Sequence, residues 1–330
     1  MKILVRLPNW LGDMVMSTGF LVELRRTFPE AAIDVILKKE YSGLAAFLPA
    51  ISAVYPFSKA EYPGLRGLLR FGRQLAANKY DLFFSLPDSL SAAVMGLATG
   101  AKVRVGYRKE GRSLLLTHAY AKPVAHHRAD EYVYLLEQYL GYPLEKVPVR
   151  LEVKPTAKAA AQQPTVILNF NSEAQSRRMP LPKAVAMYQA LHQQLKAQFV
   201  LIGGPKDATF SERIMAQAGN PPNLASIAGK TSLTALVEAL AAADLVVTTD
   251  SGPAHVANSL NKKMIVFFGA GDEANTGPYN REVAFVMRVP NLVCAPCRSN
   301  TCRFGEPVCL AQQSEAQLVR HAVALLAAKS

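Results

Sequence analysis

D-L-V-V-T-T-D-S-G-P-A-H, residues 244–255, reads as a short apolar strand, a Ser251-Gly252-Pro253 turn after Asp250, and the start of a helix. Pro253 suits the first helical position, where a missing N–H costs nothing and φ is already set. Gly252 carries no Cβ, so a ligand can come close to the backbone there. The unbonded N–H groups of a first helical turn, with the helix dipole behind them, attract anions. His255 falls on that turn and has a proton to donate to a phosphate oxygen. Two readings are open on these residues alone. Either the turn cradles an anion, or Asp250 or Ser251 caps the helix and His255 is a satisfied core histidine.

The strand–turn–helix unit recurs along the whole chain. In the first half, strand patterns cover 2–7, 33–37, 81–86 and 102–106, with helical patterns over 14–28, 65–78 and 89–99. A small, polar stretch over 153–164 with proline near both ends reads as a linker. Strands then resume at 165–170, 198–203, 224–227, 245–249 and 264–269, with helices over 183–196, 208–218, 233–243 and 315–328. Alternating β and α signals in two halves predict two doubly wound, parallel-sheet α/β domains, 1–155 and 156–330. The terminal helix is free to pack back on the first. Ligands of such sheets bind at the carboxyl ends of the strands, so an active site is expected in a cleft between the two domains.

The chain has 330 residues, half of them hydrophobic, which suits two cores of ordinary size. No stretch approaches the ~20 apolar residues of a membrane span, and the opening M-K-I-L-V-R-L-P-N-W is strand-like. A cytoplasmic chain without signal peptide is expected. The net charge of +12 is shared by both halves, with local clusters at Arg66, Arg70 and Arg73 and at Lys102, Arg104, Arg108, Lys109 and Arg112. Besides simple solvation, such charge suits an anionic membrane surface or a phosphorylated substrate. Nucleic acid ranks behind both, because few aromatics interleave with the charges and no nucleic-acid motif is present. There is no G-x-G-x-x-G after the first strand, which counts against a dinucleotide oxidoreductase, and Gly229-Lys230-Thr231 lacks the upstream glycine of a P-loop.

Other carboxyl-end loops carry chemistry. After the first strand, in L-P-N-W-L-G-D, Asn9 and Gly12 precede Asp13, where the first helix begins. Asp13 is either a helix cap or a general base ionised beside the positive helix end. After strand 165–170, Arg177 and Arg178 are either a solvated pair or a diphosphate clamp, since guanidinium forks match phosphate oxygens. All four cysteines lie in one late loop, Cys294-x2-Cys297-x4-Cys302-x6-Cys309. That spacing permits a structural zinc site or a set of reduced thiols, with no catalytic part in either case.

Taken together, Gly12-Asp13, the R-R-M-P segment at 177–180, and D-S-G-P-A-H followed by a strand and Phe268-Gly269 resemble one family. The chain is similar to the lipopolysaccharide heptosyltransferases of glycosyltransferase family 9, and its P-N-W-L-G-D-M-V-M-S opening to the heptosyltransferase II branch. The resemblance implies the GT-B architecture, two Rossmann-like domains facing across a cleft, with the acceptor on the first and the nucleotide sugar on the second. It implies transfer of heptose from ADP-heptose to the lipopolysaccharide inner core, on lipid A, with inversion and no catalytic cofactor. By the same resemblance Asp13 is the base. Arg177 stands where Lys is usual and touches the donor phosphates, with Arg178 beside it. Asp250, Ser251, Gly252 and His255 form the donor turn, and Ser232 lies near the nucleotide. The enzyme would work peripherally at the inner face of the inner membrane. Asn169-Phe170-Asn171 and Ala270-Gly271-Asp272 depart from the family's usual loops. Rival readings are a sugar-nucleotide epimerase or hydrolase of the same build, a transferase for another sugar, and a non-catalytic, basic, zinc-loop nucleic-acid binder.

Overall fold

The computed structural model describes residues 1–109, 111–154 and 163–328, so most of the linker read at 153–164 lies outside the described residues. The chain divides into two compact units, Met1–Glu152 and Val153–Ser330.

In the first unit, β1 (Lys2–Arg6) is followed by α1 (Leu11–Met16), α2 (Thr18–Thr27), β2 (Ala32–Lys38) and β3 (Ala53–Phe57). Then come α3 (Gly64–Ala76), β4 (Leu82–Ser85), α4 (Leu90–Ala98), β5 (Val103–Tyr107), β6 (His118–Tyr120) and α5 (Arg128–Leu140). The six strands form one parallel sheet in the order β3-β2-β1-β4-β5-β6. Ile3, Leu4 and Val5 are all fully buried, as a central strand covered on both faces requires. Alternation along β4 shows the two layers. Phe83 joins Phe71 of α3 and Met95 of α4 in one cluster. Its neighbour Phe84 meets Phe20 of α2 and Tyr139 of α5 edge-on, with ring centroids 5.1 and 5.6 Å away.

The second unit runs β7 (Thr165–Asn169), α6 (Leu181–Gln194), β8 (Gln198–Leu201), α7 (Ala208–Gln217), β9 (Leu224–Ser226) and α8 (Leu233–Ala242). It continues with β10 (Leu245–Thr249), α9 (Gly252–Ser259), β11 (Met264–Phe267), α10 (Glu273–Thr276), β12 (Ala284–Met287), α11 (Val308–Ala311) and α12 (Glu315–Ala327). Its sheet is also parallel, ordered β12-β11-β10-β7-β8-β9. The terminal helix packs on α6, β10 and β11, and Lys183 of α6 donates to Glu315 at 2.7 Å.

Counted within each unit, both sheets have the strand order 3-2-1-4-5-6. The chain therefore reverses direction between β1 and β4, and again between β7 and β10. At those two places neighbouring loops leave the sheet in opposite directions and open a crevice. The α/β doubly wound reading holds for both halves. Among the described residues no helix is long and apolar enough to cross a membrane.

α3 crosses α4 at Gly72, where a Cβ would lie 2.5 Å from Ala98 Cβ and 2.7 Å from the Met95 carbonyl oxygen. A Gly72→Ala change gains about 1 kcal/mol of helix propensity. It also forces a methyl against backbone that cannot rotate away, typically costing about 1–3 kcal/mol. Overpacking should win, lowering the urea midpoint with an unchanged slope; a raised midpoint would show that the crossing has room.

Candidate active site

At the first crevice the chain leaves β1 through a buried arginine. The Arg6 guanidinium donates to the carbonyls of Leu7 and Ile36 at 2.7 and 3.2 Å and to Asn9 Oδ1 at 2.5 Å. Asn9 thus fixes the loop through Arg6. Burial lowers the Arg6 pKa to about 10, so the cation persists at neutral pH. A second buried cation, Arg112, donates to Pro87 O and Ser85 Oγ at 2.6 and 2.7 Å and braces the loop after β4.

α1 starts after Trp10, whose side chain makes no capping bond, and Asp13 sits in its first turn beside buried Gly12. The capping alternative for Asp13 therefore fails. Its carboxylate instead faces α5, accepting from the Tyr132 hydroxyl at 3.4 Å and standing 3.7 Å from Arg128 Nε. Burial raises the Asp13 pKa; Arg128, Tyr132 and Lys122 pull it back only in part. Arg128 is shared with Glu131 at 2.9 Å, and Lys122 stands between Glu131 and Asp88. The side chain of Asp13 keeps 26% of its surface exposed, enough for a ligand hydroxyl to reach it. A half-buried carboxylate of raised basicity suits proton abstraction.

At the second crevice, the buried Asn169 amide donates to Thr248 Oγ1 and Ser251 Oγ at 3.0 and 2.9 Å. Ser251 Oγ donates to Thr249 O at 3.0 Å, and Thr249 Oγ1 to Asn171 O at 2.7 Å. These bonds staple the loop after β7 to the loop after β10. The unusual Asn169-Phe170-Asn171 sequence is part of that staple. Ser251 precedes α9 but its hydroxyl makes no capping bond, and Pro253 is the second helical residue rather than the first. The capping readings of Asp250 and Ser251 give way accordingly.

Asp250 is buried, with Arg177 Nη1 3.3 Å from its Oδ2. Gly271 is pressed against the same oxygen, since a Cβ there would lie 2.0 Å from it. Burial raises the Asp250 pKa to about 6 despite Arg177. His255, half-buried rather than a core residue, lines a small pocket with Asp250, Ala254, Phe268, Thr276 and Pro278. The structure thus gathers Arg177, Asp250, Ser251, Gly252 and His255.

It does not gather Arg178 or Ser232 with them. Arg178 bonds Asp207 at 2.8 Å and the Ser172 carbonyl at 3.2 Å, bracing the Gly203-Gly204 turn. Ser232 is exposed and caps α8, accepting from Ala235 N at 3.1 Å. The four cysteines are free thiols, Cys309 buried and Cys297 exposed. Among the described residues no group of three or more His, Cys, Asp or Glu could hold a metal ion. Burial, and after it the neighbouring Cys294, Cys297 and Cys302, push the Cys309 thiol up to about 11. Cys309 is turned into the wall at Gly269, where a Cβ would lie 2.3 Å from its Sγ.

The family model for glycosyltransferase family 9 (heptosyltransferase) matches residues 68–307. The chain belongs to this family. It is similar to lipopolysaccharide heptosyltransferase 2 of Salmonella typhimurium, at 26% identity over 88% of each chain. It is also similar to that of Escherichia coli K12, at 25% identity over 88% of each. Among solved structures, E. coli ADP-heptose lps heptosyltransferase II superposes with a TM-score of 0.84 at 25% identity, covering 99% of this chain and 98% of that one. This family 9 chain is therefore a glycosyltransferase of GT-B type, and the epimerase, hydrolase and non-catalytic nucleic-acid readings fall away.

The raised pKa of Asp250 has a measurable sign. The folded state holds its proton between pH ~4, where an unfolded Asp titrates, and about 6. The contribution is full below that window and is lost as pH rises through it, by about 2–3 kcal/mol. Asp250→Asn should therefore gain stability relative to wild type between pH 4 and 7.5. Parallel denaturation profiles for the two proteins would contradict the burial of this carboxylate.

Proposed function

We propose that this enzyme moves heptose from ADP-heptose to the inner core of lipopolysaccharide, with inversion and without a catalytic metal. The observation that carries this reading is the chemistry at the two crevices: a carboxylate of raised pKa at Asp13, and Arg177 paired with Asp250 just before the start of α9. In the proposed step the acceptor hydroxyl oxygen attacks the anomeric carbon as the bond to the diphosphate breaks. Asp13 takes the hydroxyl proton, and the electron pair of the broken bond leaves with ADP. The charge growing on the diphosphate meets the Arg177 guanidinium, the positive end of α9 at Gly252, and His255; Pro253 has no N–H and the Ala254 N–H is donated to Ser251 O. In this reading the first unit takes the acceptor and the second the nucleotide sugar, with Ser232 near the nucleotide and Arg178 supporting the loop.

The acceptor is an anionic glycolipid, so the enzyme would work peripherally on the inner face of the inner membrane. The exposed arginines Arg66, Arg70 and Arg73 on α3, beside exposed Leu65, support such contact.

Asp13→Asn is the direct test. The amide keeps the volume and removes a buried charge, so stability should change by less than ~1 kcal/mol. Turnover should fall by ~10²–10⁴-fold, with ADP affinity unchanged because the donor residues lie in the other unit. Full activity in this variant would remove Asp13 from the mechanism.

Chelation gives an independent check. Turnover should survive EDTA, because the proposed charge stabilisers are side chains and the positive end of a helix. Loss of turnover restored by Mg²⁺ or Mn²⁺ would contradict the metal-free step.

A further inference from the structure

The segment between β12 and α11, residues 288–307, contains no helix or strand among its 20 positions and carries three of the four cysteines. Loops of that length without regular structure are uncommon in compact domains and usually functional. At its ends Arg288 pairs with Glu273 of α10 and the Pro307 carbonyl accepts from α11; its bonds in between go to two places, both walls of the Arg177–Asp250 site.

The first is the short turn Gln175–Arg177. The Gln175 side chain bridges the segment twice: Nε2 donates to Gly305 O at 2.6 Å, and Oε1 accepts from Cys302 N at 2.8 Å. Buried Ser176 adds two more bonds, its N–H donating to Asn300 O at 3.1 Å and its hydroxyl to Ser299 O. The next residue is Arg177. The second wall is the Ala270-Gly271-Asp272 turn, whose Gly271 presses on Asp250. There the Arg298 N–H donates to Ala270 O at 2.7 Å, and its guanidinium pairs with Asp272. Four contiguous bonds thus fix the backbone just before Arg177, and two fix the turn behind Asp250.

We infer that the 288–307 segment is a strap that sets the position of Arg177, and that Gln175 is a positioning residue acting through it. The inference rests on the proposal that Arg177 meets the donor diphosphate. Gln175 is itself exposed, so its side chain adds little to the core and its removal should leave folding intact. Its two bonds hold a turn whose displacement by about 1 Å is enough to cost ~10²-fold in rate.

The test is a double-mutant cycle between Gln175→Ala and Arg177→Ala, with Gln175→Glu as the conservative variant. It reads kcat, acceptor KM, ADP affinity and melting temperature. Gln175→Ala should melt like wild type, lose about 10–100-fold in kcat, bind ADP more weakly, and keep its acceptor KM. Gln175→Glu keeps the bond from Cys302 N and should recover part of the loss. In the Arg177→Ala background the Gln175→Ala change should have little further effect, because residues acting as a unit are not additive. Gln175→Ala with kcat and ADP affinity like wild type, or two losses that multiply in full, would overturn the strap. If wild type binds no ADP and Arg177→Ala turns over normally, the donor-site reading fails first and takes the strap with it.

Discussion

Three loops of the second unit converge on one buried carboxylate. Asp250 comes from the loop after β10, Arg177 from the loop after β7, and Gly271 from the loop after β11. Burying a carboxylate beside a single guanidinium does not recover the cost of desolvation, and the pKa of about 6 shows which effect wins. Such an arrangement persists only where surrounding structure holds it. The Asn169 amide, the Thr249 hydroxyl and the 288–307 segment do so here. What results is a guanidinium held in place before any ligand arrives, the preorganisation on which the proposed stabilisation of a leaving diphosphate rests.

The first unit solves a related problem with the opposite sign. Arg6 and Arg112 are buried cations whose bonds go to carbonyls, an amide and a hydroxyl rather than to a carboxylate. They fix the loops on either side of the crevice between β1 and β4. Asp13 then stands at the edge of that crevice, its basicity raised by burial and tuned down by Arg128 and Tyr132.

The sequence was most legible where the fold is most buried. The central strands β1, β4, β7, β10 and β11 are apolar runs closed by turn residues, and each was found. Of the four edge strands, β9 is legible in the sequence and β3, β6 and β12 are not. These three are short and only partly buried, β3 contains Pro56, and the apolar run of β12, Ala284–Met287, is only four residues long. α5 was also missed, and with it Arg128 and Tyr132, which reach Asp13 only through tertiary folding. The helix read over 14–28 is two helices broken at Ser17, whose hydroxyl bonds back to Met14 O. At the site, the R-R pair and the D-S-G-P-A-H turn were visible as chemistry. The division of labour between Arg177 and Arg178 was not, because it depends on which side of the loop Asp207 and Asp250 occupy.

The claim on which the rest stands is that Arg177 and the start of α9 receive the diphosphate of an adenine nucleotide. Thermal unfolding in parallel with ADP, UDP, GDP and NAD tests it most directly. At ~100 times its dissociation constant ADP should add ~2.7 kcal/mol of stability, more than any of the other three at equal concentration, and Arg177→Ala should lose most of that gain. Stabilisation by NAD or GDP that matches ADP, or an undiminished ADP effect in Arg177→Ala, would contradict the assignment of this site.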